Sequence, residues 1–176
     1  MRKPIWQEAA SFAARMHKDD RRDDDETPYF SHPARVALTV ANVFGCDDDD
    51  ALAAAFLHDV MENTDEGYDQ LEEEFGRDIA DLVVALTKNM MLPSNSREKD
   101  YEDRLSKANW RARLIKLADE YDNLTDTLTG QKDGNGEERK KAKRIIALAE
   151  GDADKHPETK RAIDALSRLL KAKKLL

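Results

Sequence analysis

A histidine and an aspartate lie side by side inside an apolar run of the sequence. His58 and Asp59 occur in AAAFLHDVMEN, where burying ionisable groups costs free energy unless a partner or an ion compensates for it. His32 in TPYFSHPARVA and Asp119 in LIKLADEYDNL also interrupt or follow apolar stretches. Imidazole and carboxylate groups without thiolates suit manganese, iron, zinc or magnesium. These four residues therefore predict a metal site, and Mn²⁺ is the ion that we expect.

Two further polar residues share a helix face with these candidate ligands. Glu62 follows His58 by four residues and Asp59 by three, so on a helix it lies one turn further along the same face. A carboxylate in that place can orient or deprotonate a water molecule held by the ion. Asn123 follows Asp119 by four residues, which predicts an amide that faces the same cavity.

Each candidate ligand taken alone also has an ordinary structural explanation. His32 precedes a proline and could cap a helix, and His58 could be a hydrogen-bonded core histidine. Asp119 could pair with Lys116 or Arg113. Three buried polar positions arising for unrelated reasons would be costly, and the shared metal site is the favoured interpretation.

Helical spacing of apolar residues recurs along the chain, and strand-like alternation is nowhere sustained. We predict an all-α bundle of roughly eight to ten helices. The central helix is expected at 49–62, where it is apolar on all sides, and a second core helix is expected at 110–128. The charged segment 97–106 predicts a mobile, solvent-facing helix. His17 and His156 are expected at the surface.

The composition fits one folded unit with a single core. The chain has 176 residues, of which 40% are hydrophobic and 38% charged. We expect one domain over 1–176, with the motif-bearing core at about 5–130 and covering C-terminal helices at about 137–174.

Charge and targeting signals exclude several classes of function. The net charge of −8 argues against nucleic-acid binding, which depends on basic surfaces. No apolar run is long enough to span a membrane, and the N-terminus lacks a signal-peptide hydrophobic region, so a cytoplasmic location is expected. The single cysteine, Cys46, excludes an internal disulfide and a cysteine-based zinc site. Because the net charge is negative, any anionic ligand must be held locally, and the oligomeric state stays open.

Several stretches of the sequence resemble the hydrolase domain of RelA/SpoT-type enzymes of the HD superfamily. They are HKDDRRDDDETPYFSHPARVA, LHDVMENTD, the LEEEFG and LVVALTK run, and LIKLADEYDNLTD. The similarity is strongest to small stand-alone alarmone hydrolases, the metazoan SpoT homologues among them. The resemblance implies an all-helical HD fold and Mn²⁺ bound by His32, His58, Asp59 and Asp119. It also implies hydrolysis of the 3′-pyrophosphate of (p)ppGpp to GDP or GTP and pyrophosphate.

The resemblance also assigns catalytic residues. Glu62 takes the acidic position of the HDxxED motif, whereas Asn63 stands where the family has a second acid. An amide cannot act as a base, so the substitution slows turnover or changes the substrate if that acid is needed. If the acid only positions water, Asn63 suffices as donor and acceptor.

The substrate contacts implied by the resemblance lie in three segments. Arg21 and Arg22 match an Arg-Lys pair that brackets the purine, although a solvated charge run beside the following aspartates also explains them. Asn123 matches an asparagine near the ribose and base, and Asp126 lies one turn further on. The phosphate-binding basic residues of the family fall at 97–104, where the candidates are Arg97, Lys99 and Arg104.

Three functions remain open at the level of sequence. The first is a metal-dependent (p)ppGpp pyrophosphohydrolase. The second is an HD phosphohydrolase of another nucleotide, such as an adenine alarmone or NADPH, prompted by Asn63. The third is a non-catalytic nucleotide-binding module that has kept the pocket and lost turnover.

Overall fold

The described part of the protein is helical, and the predicted all-α fold is confirmed. A computed structural model describes residues 3–63, 67–130 and 136–172, apart from the side chain of Asn63. Within these ranges the α-helices are α1 (Ile5–Met16), α2 (Ser31–Leu38), α3 (Asp49–Leu57), α4 (Val60–Asn63), α5 (Tyr68–Phe75), α6 (Arg77–Leu86), α7 (Ser94–Lys107), α8 (Trp110–Thr129), α9 (Glu137–Ala149) and α10 (Pro157–Lys171). None of the described helices combines the length and apolar character needed to cross a bilayer.

Helices α3 and α8 form the centre of the fold. Helix α3 is rich in alanine, and its small side chains let α1, α2, α6 and α8 pack against it. Helix α8 in turn packs against α2, α9 and α10. A buried apolar cluster extends along the chain from Ala9 to Leu169, so the C-terminal helices contribute to the core as well as covering it.

The helix predicted at 49–62 is interrupted at the residues that matter most. Helix α3 ends at Leu57, His58 and Asp59 form a turn, and α4 begins at Val60. The ring Nδ1 of His58 lies 2.9 Å from the carbonyl oxygen of Ala55, so the side chain takes an acceptor at the end of α3. Such local side-chain bonds compete with the helical pattern, and sequence periodicity does not reveal them.

The second helix also changes character along its length. Helix α2 passes into a π-helical segment at Thr39–Val43. The chain then turns at Gly45, whose φ of +69° is the left-handed conformation that glycine adopts at low cost.

Two other predictions need correction. Helix α7 covers the charged segment 97–106 as predicted, but it buries Tyr101 and Leu105 and is not wholly solvent-facing. His17 is 1% exposed, with its ring centroid 4.9 Å from that of Tyr29, so its prediction as a surface residue was wrong. His156 is half-buried against Trp110, with 3.9 Å between the ring centroids.

Asp48 fixes the start of α3 and joins it to α8. Its Oδ1 accepts a hydrogen bond from the backbone N–H of Ala51 at 2.9 Å, and its Oδ2 accepts one from Arg111 Nε at 2.8 Å. One carboxylate therefore caps the central helix and forms an ion pair with the other core helix.

Replacing Asp48 by alanine removes both contacts. We expect the Asp48→Ala variant to lose about 1–2 kcal/mol of unfolding free energy in urea denaturation. Asp47→Ala is the matched control, because Asp47 is exposed and precedes the cap; its effect should stay within about 0.5 kcal/mol. Equal losses in the two variants would show that Asp48 is not the cap that matters.

Candidate metal centre

The four predicted ligands come from three elements: His32, His58 and Asp59 form one close group, and Asp119 adjoins it through His32. His32 lies on α2, His58 and Asp59 form the turn between α3 and α4, and Asp119 lies on α8. Asp59 Oδ2 is 3.6 Å from His32 Nε2 and 3.3 Å from His58 Nε2. Asp119 Oδ1 is 3.2 Å from His32 Nε2. The structure thus brings together residues that are up to 87 positions apart in the sequence.

The hydrogen bond to Ala55 determines which nitrogen of His58 faces the centre. Because Nδ1–H donates to a carbonyl oxygen, the neutral ring carries its lone pair on Nε2. Nε2 is buried and has no hydrogen-bond partner among the described residues. A lone pair directed towards the Asp59 carboxylate is unfavourable unless a positive charge lies between them.

His32 is oriented in the same way by a carboxylate. Its Nδ1 lies 2.7 Å from Asp122 Oδ2, and Arg35 binds both oxygens of Asp122 at 2.6 and 2.9 Å. Although burial opposes the charge, the bonds from His32 and Arg35 lower the pKa of Asp122, so it accepts the Nδ1 proton. His32 Nε2 therefore faces Asp59 and Asp119, and a carboxylate–histidine pair of this kind orients metal ligands in many proteins.

The charges at this point call for a cation. Burial alone would lower the pKa of His32, but hydrogen bonds to Asp119 and Asp122 and the nearby Asp59 raise it to about 9. A proton on the ring would satisfy the carboxylates, and so would a divalent ion. One ligand atom each of His32, His58 and Asp59 lies within 4.8 Å of the others, which is a spacing that fits one ion.

Neighbouring side chains hold the carboxylates in place. The hydroxyl of Tyr29 donates to Asp59 Oδ2 at 2.6 Å, and burial and the Asp59 charge raise the pKa of Tyr29, so that its proton stays on. Lys116 Nζ and Asn123 Nδ2 donate to the two oxygens of Asp119, each at 2.6 Å. Asp119 therefore pairs with Lys116 and also faces His32. The ion pair with Lys116 and a place beside the candidate metal ligands, which were alternatives in the sequence analysis, are both present.

A cavity of about 270 Å³ opens in front of the centre and is lined by His32, His58, Asp59 and Asp119. Glu62 of α4 also lines it. Burial and the Asp59 charge raise the pKa of Glu62, while Lys88 and Lys116 oppose that rise. A carboxylate with a raised pKa beside a metal site suits proton transfer. Asn63 belongs to α4, and its side chain lies outside the described residues.

The predicted base and ribose contacts divide into two groups. Arg22 and Asn123 line the cavity. Arg21 is exposed and donates to the carbonyl oxygens of Lys18 and Asp20. Asp126 binds Arg22 at 2.8 Å and Arg35 at 2.9 Å and is not among the lining residues, so its contacts hold Arg22 in position.

Arg97, Lys99 and Arg104, which were predicted to contact phosphates, lie outside the cavity lining. Arg97 donates to the carbonyl oxygen of Leu92, Lys99 is exposed, and Arg104 binds Asp100 and the carbonyl of Thr87. None of the three cations lines the cavity, because the face of α7 that points inward carries other residues. The basic residues besides Arg22 that line it are Lys88, Lys116, Lys141 and Arg144.

Sequence reasoning missed several residues of this site. Asp122 follows Asp119 by three residues on the same helix, a spacing that could have identified it. Lys141 and Arg144 are three residues apart on α9, but the sequence does not show which face of that helix turns inward. Tyr29 and Arg35 lie close in sequence to His32, but no motif or spacing in the sequence indicated that they belong to the site.

Comparison with known proteins identifies the family. Residues 9–148 match the HD domain. The chain belongs to the HD-domain family. Guanosine-3′,5′-bis(diphosphate) 3′-pyrophosphohydrolase MESH1 of Xenopus tropicalis is 38% identical over 133 residues, which are 75% of this chain and 74% of the relative. MESH1 of Homo sapiens is 41% identical over 120 residues, 68% of this chain and 67% of the relative.

Other HD-domain relatives include a longer protein and a solved structure. The guanosine-3′,5′-bis(diphosphate) 3′-pyrophosphohydrolase of Aquifex aeolicus is 36% identical over 121 residues, which are 67% of this chain and 17% of the relative. A solved structure of a metazoan ortholog of SpoT, described as hydrolysing ppGpp and acting in starvation responses, superposes with a TM-score of 0.80. It is 30% identical, and the alignment covers 96% of each chain.

Replacing Asp122 by asparagine should weaken the binding of metal to this HD domain. The acceptor for His32 Nδ1–H becomes neutral, and we expect the affinity for Mn²⁺ to fall about 10- to 100-fold in calorimetric titrations of metal-free protein. Asp126→Asn is the matched control, since Asp126 lies one turn further on and bonds to Arg22 and Arg35 but not to His32. Equal losses of affinity would contradict the role of Asp122.

Proposed function

We propose that the protein is a metal-dependent hydrolase that removes the 3′-pyrophosphate of (p)ppGpp, giving GDP or GTP and pyrophosphate. The observation that carries this proposal is the convergence of two imidazole nitrogens and two carboxylates at the wall of a cavity that also holds Glu62 and several cations. The HD-domain relatives named as guanosine-3′,5′-bis(diphosphate) 3′-pyrophosphohydrolases support the same substrate.

Each residue at the centre has a distinct part in this reaction. His32, His58, Asp59 and Asp119 would hold the ion, which supplies a lowered pKa for water and charge neutralisation at a phosphoryl group. Glu62 accepts a proton from the attacking water and returns it to the leaving 3′-oxygen. We keep Asn63 as the residue assigned to position that water, because an amide is both donor and acceptor. Water adds to phosphorus, the bond to the 3′-oxygen breaks, and pyrophosphate leaves.

The cavity offers complementary groups for both ends of the nucleotide. Arg22, anchored by Asp126, presents a planar guanidinium on which a purine can stack, and Asn123 offers an amide close to Asp119. Lys88, Lys141 and Arg144 supply positive charge for the phosphates. These cations replace Arg97, Lys99 and Arg104 as the phosphate contacts that we propose.

The metal, the location and the domain limits complete the proposal. We propose Mn²⁺ among the ions that imidazole and carboxylate ligands without thiolate accept, because the resemblance to alarmone hydrolases implies it. The free thiol of buried Cys46 is consistent with the reducing conditions of the cytoplasm, where we place the activity. We treat 1–176 as one HD domain, because α10 contributes Leu166 to the same core as α1.

Incubation with ppGpp and Mn²⁺ tests the function directly. We expect GDP and pyrophosphate in equal amounts, resolved by ion-exchange chromatography. NADPH and adenine nucleotides serve as competing substrates in the same assay. No turnover of ppGpp, or a clear preference for another nucleotide, would contradict the proposal.

Substitution should separate metal binding from proton transfer. Asp59→Ala should abolish both bound metal and turnover, because it removes a carboxylate from the ligand group. Glu62→Gln should leave the metal bound and reduce kcat about 100-fold or more. Metal content by atomic emission and initial rates on the same samples give the comparison. Loss of metal in both variants would contradict this division of roles.

Removal of the metal should destabilise the fold. An ion that binds only the folded state, present at 100 times its Kd, adds about 2.7 kcal/mol, so chelation should lower Tm by roughly 5–10 °C. The Asp59→Ala variant is the control and should melt at the same temperature with or without chelator. If the Tm of the parent protein were the same with and without chelator, the presence of a stabilising ion at this site would be contradicted.

A further inference from the structure

Two cations of the cavity are already held by carboxylates of one helix. Lys88 Nζ lies 2.7 Å from Glu98 Oε1, and Arg144 Nε lies 2.7 Å from Glu102 Oε1. Glu98 and Glu102 are one turn apart on α7 and therefore share a face. All four residues line the cavity in front of the metal centre. In the free protein, carboxylates thus occupy the cations that a phosphate group would use.

The Lys88–Glu98 pair fastens the first half of α7 to the rest of the molecule, and the Arg144–Glu102 pair fastens the start of its second half. Lys88 lies between α6 and α7, and Arg144 lies on α9. None of the side chains at 94–100 is buried, whereas Tyr101 and Leu105 of the second half are. Apolar packing therefore holds the second half, and charged contacts carry more of the attachment of the first. A segment held in this way has low local stability.

The exposure of these pairs makes them exchangeable. The side chains of Lys88 and Glu98 are 23% and 45% exposed, and those of Arg144 and Glu102 are 41% and 30% exposed. Ion pairs with so much solvent contact contribute little free energy. In contrast, Lys116 is 14% exposed and bound to both Asp119 and Glu120, so a ligand would not readily separate it. A phosphate, with more charge and more acceptor oxygens than a carboxylate, can displace Glu98 and Glu102.

We propose that Glu98 and Glu102 are internal competitors for the phosphate site. They hold Lys88 and Arg144 in the free protein, yield them to the pyrophosphate group of the substrate, and recapture them as the product leaves. The first half of α7 is released while the phosphates are bound. This inference rests on the proposed function, because it takes pyrophosphate as the product that must be released.

The arrangement favours turnover over tight product binding. Pyrophosphate keeps its full charge after hydrolysis and would otherwise remain on the cations. Two tethered carboxylates lower its affinity without touching the metal ligands, and product release limits kcat in many enzymes. Glu98 and Glu102 are thus positioning residues for the cations and do not take part in the chemical step.

Binding of inorganic anions tests the proposal without turnover. Pyrophosphate and orthophosphate are titrated calorimetrically into manganese-loaded protein freed of excess metal. We expect Glu98→Gln and Glu102→Gln each to tighten pyrophosphate binding roughly threefold, and the double variant roughly tenfold. Orthophosphate replaces one carboxylate at a time. In the double variant, the logarithm of its affinity should therefore rise only about half as much as that of pyrophosphate.

Asp100→Asn is the matched control. Asp100 is an acid on the same helix, but it pairs with Arg104 at 2.9 Å and does not line the cavity. Its removal should leave both affinities unchanged. If Asp100→Asn raised the affinity for pyrophosphate as much as the glutamine variants do, the cause would be the change in overall charge, and the proposal would be overturned.

Hydrogen exchange supplies a second readout. In the parent protein, pyrophosphate should accelerate amide exchange at 97–103, because the ligand breaks the pairs that fasten this segment. In the double glutamine variant, exchange should already be fast and respond little to the ligand. Slower exchange on binding in the parent would overturn the release of α7.

The outcomes also separate this inference from the proposed function. Pyrophosphate that binds the parent and is insensitive to the glutamine substitutions would remove the competitor role and leave the hydrolase proposal standing. A parent protein with no affinity for pyrophosphate would remove both.

Discussion

Two histidine rings that turn their lone pairs towards carboxylates are the constraint on which this structure depends. The Nδ1–H of His58 is committed to the carbonyl of Ala55, and that of His32 to Asp122. Both Nε2 atoms must then face Asp59, which is acceptable only with a positive charge between them. The fold therefore fixes which nitrogen of each ring faces the centre before any ligand arrives, and a cation completes the arrangement.

The surrounding helices can be understood as the support for this arrangement. The alanine-rich α3 admits close neighbours on several sides, so α2 and α8 approach near enough for His32 and Asp119 to meet. The break after Leu57 then places two consecutive residues at the centre, which an uninterrupted helix would separate by about 100°. Buried acids on α8 gain their stability from Lys116 and Arg35, so the polar interior is paired throughout this region.

Much of this could be predicted from the sequence, and the remainder depended on contacts between distant residues. Apolar periodicity gave the all-α class and the two core helices, and polar residues in apolar runs gave the candidate ligands. The break at His58 was invisible because it depends on a side-chain bond to Ala55. Lys88 was missed because it lies in the connection between α6 and α7, where no periodicity indicates a direction, and Arg144 because the facing of α9 is set by its packing on α8.

A crystal structure of the manganese-loaded protein, with anomalous diffraction data at the manganese edge, tests the central claim most directly. The account predicts one anomalous peak, within roughly 2.0–2.4 Å of Nε2 of His32 and His58 and of carboxylate oxygens of Asp59 and Asp119. A protein that takes up no manganese at this point, or binds it through the Nδ1 atoms, would contradict the account.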